Sequence, residues 1–231
     1  MRSSLLLVVL CGAVPASRSA GQSSSPPRSS ETAGDAPAKW TQWGGPNRDF
    51  TVDAHGLAEQ WPDDGPKQLW KRELGDGYST ILFEDGVLYT MYRVGDDEFT
   101  VALRASDGAM VWEHKNPSPF TSTMAEYGPG PHSTPLIEKE RLYSVGTNGV
   151  LHCFDKVDGK VLWKHDLIRE FDGELRARGY SPSPLAYKNL LILPLGSERT
   201  GPSALAFDLT SGEVIWKSPT LRGTYAAPIL V

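Results

Sequence analysis

An eleven-residue pattern occurs three times in this chain and constrains its fold more than any other feature. Each copy starts with a small residue and an apolar one, passes through a polar turn that ends in glycine, and reaches a tryptophan four residues after that glycine. The copies span residues 102–112, 153–163 and 206–216. A repeat period of roughly 40–50 residues indicates a propeller or another repeat array.

Turn signals divide each repeat unit into short strands. Asp85-Gly86 and Asn148-Gly149 are strong hairpin signals, and the glycine of each eleven-residue copy marks a further turn. The first strand of each unit is marked by an apolar column that begins at Ile81, Pro135, Pro184 and Pro228. Three turns imply four antiparallel strands in each unit, which is the make-up of one propeller blade.

The repeat resembles the PQQ-type (quinoprotein) β-propeller repeat, in which a glycine lies four residues before a tryptophan at the end of each blade. The resemblance covers about residues 69–231. The segment from Trp40 to Trp61 is also similar to the entry segment of secreted bacterial propellers of this type. In that family the tryptophan packs between neighbouring blades. The resemblance therefore implies a set of structural inter-blade residues: Trp70, Trp112, Trp163, Trp216, Gly108, Gly159 and Gly212.

We therefore predict an all-β protein, a β-propeller of four-stranded antiparallel blades over residues 39–231. About three and a half blades are present, because the sequence reaches Val231 inside the first strand of a fourth blade. Three blades and a stub would leave unpaired strand edges. We expect the sequence to be the N-terminal part of a longer chain that forms a seven- or eight-bladed ring.

The N-terminus has the pattern of a bacterial signal peptide, predicted over residues 1–16. Arg2 precedes an apolar run, and Val14-Pro15-Ala16 is a small-residue cleavage site. Residues 17–38 are rich in Ser, Pro, Ala and Gly and cannot bury enough apolar surface to offset their ordering entropy, so we predict a disordered linker. The predicted location is the periplasm or the outside of the cell.

The sequence contains two cysteines, one that bears on lipid anchoring and one that lies within the repeat. Cys11 raises the possibility of a lipoprotein, but Leu10 before it is larger than lipoprotein processing normally accepts, so no lipid anchor is expected. Cys153 aligns with Ala102 and Ala206, which favours a buried small apolar residue. The apolar run at the N-terminus is too short to span a bilayer, and no other segment is long and apolar enough.

Charge and ligand spacing argue against several functions. The net charge is −5 and the basic residues are scattered, so nucleic-acid binding is not expected. The five histidines form no cluster with metal-site spacing, and no calcium-binding loop is present. The sequence therefore predicts no metal site of its own.

Residues just before the first strand of a blade tend to face the central channel of a propeller. Two aligned columns supply the candidate cofactor- or ligand-binding residues: Tyr78, Ser79, His132, Ser133, Ser181 and Tyr225. Such a ring suits a quinone, a sugar or a peptide. The alternative interpretation, which the sequence favours, is that the side chains cap strand ends and fill the channel with water-bonded polar groups.

Two long connections provide further binding elements, although they also suit lids over the channel mouth. Residues 113–131 form a Pro- and Gly-rich loop with aromatic residues. Residues 164–179 contain Leu167, Ile168, Phe171 and Leu175, whose spacing predicts a short amphipathic helix.

Two functions are compatible with these features. The first is a non-catalytic binding or scaffold module for a protein partner or a small molecule, similar to the outer-membrane assembly lipoproteins with the same repeat. The alternative, implied by the resemblance, is a PQQ- and calcium-dependent alcohol or sugar dehydrogenase. In those enzymes the cofactor commonly stacks between a tryptophan and two adjacent cysteines. This chain has no adjacent cysteines, and no residue matches the family's catalytic base, so the catalytic residues stay unassigned.

Overall fold

One six-stranded and two four-stranded antiparallel sheets form the body of the protein. The computed structural model describes residues 4–10, 39–53, 58–120, 128–195, 201–219 and 225–230. The predicted linker and Cys11 lie outside these ranges. Within the described part of the chain, no helix is both long enough and apolar enough to cross a membrane.

The elements follow one another as strands with a single short helix between them. In chain order they are β1 (Ser4–Leu10), β2 (Gln68–Asp76), β3 (Leu82–Glu84), β4 (Val87–Val94), β5 (Asp97–Arg104), β6 (Met110–Pro117), β7 (Leu136–Glu138), β8 (Arg141–Val145), β9 (Val150–Asp155), β10 (Val161–Asp166), α1 (Leu167–Phe171), β11 (Leu185–Tyr187), β12 (Leu190–Pro194), β13 (Ala204–Asp208) and β14 (Val214–Lys217).

Each sheet contains a four-stranded blade in which consecutive strands pair with one another, and the first sheet also includes β1 and β2. Blade 1 contains β3 to β6, blade 2 contains β7 to β10, and blade 3 contains β11 to β14. The prediction of four-stranded antiparallel propeller blades is therefore confirmed. The first strand of every blade is three residues long, so most of the pairing lies in the other three strands.

The middle strands of blades 1 and 2 are mostly buried on both faces, whereas β12 of blade 3 alternates between buried and half-buried residues. In β8, for example, Leu142 to Val145 are all buried, as expected for a strand between two layers. One apolar cluster lies between blades 1 and 2 and includes Tyr89, Trp112 and Phe154. A second lies between blades 2 and 3. The hydrophobic core is thus divided into layers that repeat with the blades.

The turn before the last strand of each blade is built on the repeated glycine. Gly108, Gly159 and Gly212 have φ values of 71°, 73° and 76°. Each donates its N–H to a carbonyl four residues earlier, as Gly159 does to Asp155 at 3.0 Å. Glycine adopts this left-handed conformation without the steric cost that other residues incur.

Each of these glycines also contacts a tryptophan from the outer strand of the preceding unit. Gly108 lies against Trp70, Gly159 against Trp112, and Gly212 against Trp163.

The indole N–H groups of Trp70 and Trp112 find acceptors in the same turns, whereas that of Trp163 is buried without a partner among the described residues. Trp70 Nε1 donates to Ala105 O at 2.8 Å and Trp112 Nε1 to Lys156 O at 2.9 Å. Leu209 O, the equivalent acceptor in blade 3, instead receives the Tyr143 hydroxyl at 2.9 Å.

β2 carries Trp70 and corresponds to the last strand of a blade. Its backbone joins blade 1 through one antiparallel residue pair with β4, Asp76 opposite Arg93. β1, which overlaps the predicted signal peptide, pairs with β2 in the register that β5 has with β6. Val8 lies opposite Lys71, as Val101 lies opposite Glu113. The backbone of β1 thus occupies the position of a third strand beside β2.

A segment before β2 crosses the inner strands of successive blades. Trp40 forms an isolated antiparallel bridge with Phe83 of blade 1. One residue later, Thr41 O accepts a hydrogen bond of 2.8 Å from Ile137 N of blade 2. The entry segment predicted from the sequence therefore lies along the inner side of the blades.

Arg48 continues this crossing to blade 3 and to the segment beyond it. Its guanidinium donates to Pro184 O at 3.0 Å and to Pro228 O at 2.7 Å. Gln42 fixes the same side chain by accepting from Arg48 Nε at 2.8 Å. Burial lowers the pKa of Arg48, and these three acceptors compensate for the solvent that the guanidinium has lost.

The helix predicted in the second long connection is shorter than its apolar spacing suggests. α1 begins after Asp166, whose carboxylate accepts hydrogen bonds from the N–H groups of Ile168 and Arg169, an N-cap arrangement. It ends where Asp172 adopts the left-handed conformation at φ 55°. Leu175 lies beyond this end and is exposed.

Candidate binding site at the channel mouth

The segments that precede the inner strands lie together at one end of the blades. This channel mouth is formed by residues 78–80, 132–134, 181–183 and 225–227. A chain of hydroxyl contacts joins neighbouring segments: Thr134 Oγ1 accepts from Thr80 N at 3.1 Å, and Ser183 Oγ accepts from Thr134 N at 3.0 Å. Each blade therefore holds the backbone of the preceding one, which fixes the spacing of the residues around the mouth.

The structure brings some of the predicted residues together and separates others. His132, Ser181 and Tyr225 line one cavity. Tyr78 does not line that cavity but stacks on the His132 ring, with centroids 4.9 Å apart and an interplanar angle of 13°. Ser79 is buried and points its hydroxyl to Thr80 O at 3.4 Å.

The cavity has a volume of about 380 Å³, which is within the range of small-ligand pockets. Besides the predicted residues, it is lined by Trp43, Arg178, Ser183, Ala226, Ala227 and Ile229. Trp43 belongs to the entry segment and Arg178 to the second long connection. The aligned columns of the repeat could not identify Trp43 and Arg178, because neither residue lies in the repeat.

Several buried polar atoms at the mouth have no hydrogen-bond partner among the described residues. They are His132 Nε2, Ser133 Oγ and Ser181 Oγ. A buried polar group without a partner costs about 1–3 kcal/mol, and native proteins contain few of them. His132 and Ser181 line the cavity, whereas Ser133 is buried and does not line it. The two unpaired atoms of His132 and Ser181 point to a site that is completed by a bound molecule.

The ionisation of His132 follows from its surroundings. Burial lowers the pKa of the imidazole, and the charge of Arg178 lowers this pKa further. A hydrogen bond with the Gly128 backbone has the opposite effect on the pKa, as expected when a ring N–H donates to a carbonyl. His132 is therefore neutral at pH 7.

Arg178 is held at the rim of the cavity by its own contacts. Its guanidinium carbon lies 5.7 Å from the centroid of the Tyr225 ring, a cation–π distance. The connection that carries Arg178 is fixed beside blade 2, because Tyr180 N donates to Thr147 O at 2.8 Å. The positive charge therefore stays beside the aromatic wall of the cavity.

A buried ion pair supports the same end of the blades. Arg93 Nη2 lies 2.9 Å from Glu98 Oε1, and both side chains are buried. Glu98 crosses to blade 2, where it accepts hydrogen bonds from the N–H of Thr147 at 2.9 Å and from the Thr147 hydroxyl. Arg93 also donates to Ser118 O at 2.8 Å. The pair thus connects the first long loop to two blades.

Other candidate groups lie away from the mouth. Cys153 is buried between blades, and burial raises the pKa of its thiol. His114 and His152 contact each other, with ring centroids 5.2 Å apart. His55 and residues 121–127 of the first long loop are outside the described part of the chain. Among the described residues, no three His, Cys, Asp or Glu side chains are grouped to hold a metal ion.

The blades, the repeated glycine–tryptophan contacts and the channel mouth define a PQQ-type β-propeller. A family model described as outer membrane protein assembly factor BamB matches residues 55–229, and this chain belongs to that family. A search of curated protein sequences gives no significant match.

Two solved structures illustrate the similarity. BamB from Moraxella catarrhalis is 17% identical with a TM-score of 0.52; the match covers 72% of this chain and 47% of that one. A quinohemoprotein alcohol dehydrogenase from Comamonas testosteroni is 20% identical with a TM-score of 0.46, and the match covers 61% of this chain and 20% of that one. The chain therefore spans about half the length of the BamB structure, and at 17% identity the likeness to BamB concerns the fold.

Proposed function

We propose that this chain is part of an extracytoplasmic binding or scaffold module, and that it binds a protein partner or a small molecule at the channel mouth. The observation that carries the proposal is the cavity with unpaired buried polar atoms, held between blades whose spacing is fixed. Rigid blades that present connecting loops are a common arrangement for recognition. A periplasmic or secreted location is part of the proposal and follows from the predicted signal peptide.

A photocrosslinking experiment with two matched tyrosine positions tests the proposal. Tyr78 lies at the channel mouth and Tyr187 at the opposite end of an inner strand, with exposures of 45% and 43%. Each tyrosine is replaced in turn by a photoreactive phenylalanine analogue, and each variant is then irradiated in the bacterial periplasm. We expect specific adducts from position 78 and few from position 187. Equal labelling at both positions would contradict a binding surface at the mouth.

The alternative function, a PQQ- and calcium-dependent dehydrogenase, has weaker support from the residues present. The family resemblance implies that PQQ, a quinone with several carboxylates, would be the cofactor. The cavity offers it one cationic side chain, Arg178, and a neutral imidazole. The sequence has no adjacent cysteines to stack on the quinone. The residues present at the mouth therefore do not fit this cofactor.

A direct titration separates the two functions. The full-length protein is titrated with PQQ and Ca²⁺ while tryptophan fluorescence and dye-linked alcohol oxidation are followed. The proposed binding module predicts neither saturable quenching nor turnover. Saturable quenching with turnover would establish a quinoprotein dehydrogenase and contradict the proposal.

A further inference from the structure

The orientation of His132 defines what kind of group it accepts. Nε2 is the ring nitrogen without a partner, so the contact with the Gly128 backbone belongs to Nδ1. A neutral imidazole has one donor and one acceptor nitrogen. Because Nδ1 carries the proton, Nε2 presents a lone pair, and the molecule that completes the site must supply a hydrogen-bond donor to it.

The unpaired hydroxyl of Ser181, which also lines the cavity, can both donate and accept. It combines one donor with two acceptor lone pairs. Hydroxyl groups of a ligand have the same dual capacity and can satisfy a serine hydroxyl and an imidazole lone pair together. A carboxylate cannot, since it is acceptor-only when ionised and would face the lone pair of Nε2.

Aromatic side chains supply flat apolar surface beside these polar atoms. Trp43 and Tyr225 line the cavity, and Tyr78 covers one face of the His132 ring. Rings that combine an apolar face with a polar edge suit ligands of the same character. A sugar ring has hydroxyls around its edge and C–H groups on its face, and the cavity volume of about 380 Å³ suits one or two such rings.

We infer that the cavity at the channel mouth binds a neutral mono- or disaccharide, with His132 Nε2 and the Ser181 hydroxyl hydrogen-bonded to sugar hydroxyls and an aromatic side chain against the sugar ring. This inference rests on the proposed binding function and specifies its ligand. Arg178 is held at the rim over Tyr225, where it can donate to a neutral ring or hydroxyl oxygen.

Calorimetric titration of the full chain at pH 7.5 with glucose, N-acetylglucosamine and maltose tests the inference, with PQQ as the anionic control that lacks hydroxyl groups. Saturable binding of at least one neutral sugar is expected, and PQQ is expected to bind at least tenfold more weakly. A site built to hydrogen-bond a hydroxyl loses much of its affinity when a polar partner is removed.

Three variants identify the atoms responsible. His132→Phe keeps a ring against Tyr78 but removes the acceptor, and Ser181→Ala removes one hydroxyl; each is expected to weaken binding at least tenfold. Ser79→Ala is the matched control, because Ser79 is a buried serine of the same region that does not line the cavity. It should bind like the unmodified chain. Circular dichroism checks that each variant is folded, and Ser181→Ala is the milder of the two changes.

The outcomes distinguish the inference from the function on which it rests. Failure of all three neutral sugars to bind, equal binding of PQQ, or wild-type affinity in a folded Ser181→Ala variant would each overturn the saccharide assignment. If specific crosslinks from position 78 persist in that case, the binding function stands with another ligand. Loss of both results would refute the function as well.

Discussion

Gly159 lies directly against the indole of Trp112: a Cβ built on this glycine would be 2.6 Å from Cδ2 of the tryptophan. The same contact joins Gly108 to Trp70 and Gly212 to Trp163. Glycine is needed at this position for two reasons, a positive φ and the close approach of the ring. The repeated pattern in the sequence therefore reflects one contact made between each pair of neighbouring units.

The first prediction separates these two reasons. Gly159→Ala should destabilise the protein more than Gly86→Ala, because both have positive φ, 73° and 79°, but nothing lies within 4 Å of a Cβ at Gly86. The backbone cost is about 1–2 kcal/mol in each, and overpacking against Trp112 adds ~1–3 kcal/mol. Urea denaturation of the two variants measures the difference. Equal losses would show that the ring moves away freely.

The second prediction concerns the tryptophans themselves. Trp112→Ala should lower the free energy of unfolding by about 3–5 kcal/mol, as for other buried tryptophans, because this side chain is 7% exposed. Trp216 is 38% exposed, and Trp216→Ala should cost about 1 kcal/mol or less. Thermal and urea unfolding of both variants provide the test. A Trp112→Ala protein that unfolds like the unmodified chain would refute an inter-blade role for this column.

The third prediction concerns the ion pair below the channel mouth. Glu98→Gln should destabilise the protein by about 3–5 kcal/mol, because it leaves the charge of Arg93 buried without its partner. Asp107→Asn, in the exposed pair of Arg104 and Asp107, is the control and should unfold like the unmodified chain. A similar small effect in both variants would mean that water reaches Arg93.

The fourth prediction is a dependence of stability on pH. Burial lowers the pKa of His152 to about 4, and the neighbouring charges of His114 and Lys164 act in the same direction. The unfolded state, with a pKa of about 6.5, therefore binds the proton first. Stability should fall as the pH decreases from about 6.5 towards about 4, by up to about 3 kcal/mol from this group.

His152→Gln removes this titration and should flatten the pH dependence of the unfolding midpoint over the same range. His114 and His132, whose pKa values are also lowered by burial, will leave a residual slope. A slope unchanged by the substitution would show that His152 is not the group responsible.

The sequence predicts the parts of this fold that repeat. The glycine–tryptophan spacing and the turn signals are local, so they locate the strands of each blade without any tertiary information. The aligned columns also bring His132 and Ser181 to one cavity, because both stand at equivalent points before an inner strand. Tyr78 occupies the same aligned column as these residues, but its ring stacks on the imidazole of His132 and does not line the cavity.

The sequence does not predict contacts between residues that stand at unrelated positions of the repeat or outside it. Arg93 and Glu98 lie on one hairpin, but their partner Thr147 belongs to the next blade. Trp43 forms a wall of the cavity only because the entry segment crosses several blades. Such contacts depend on three-dimensional placement, and neither periodicity nor residue type indicates them beforehand.

The hydrogen bond from Arg48 to Pro228 joins residues 180 positions apart. Repeat proteins usually gain stability from contacts between neighbouring units, and they can then unfold unit by unit. A contact of this range changes that behaviour, because blade 3 and the segment after it are held by a residue that precedes blade 1. Non-local contacts of this kind slow folding. During synthesis the first blade can form early. Arg48 of the entry segment can make its contact with Pro228 only after the residues up to Pro228 have left the ribosome.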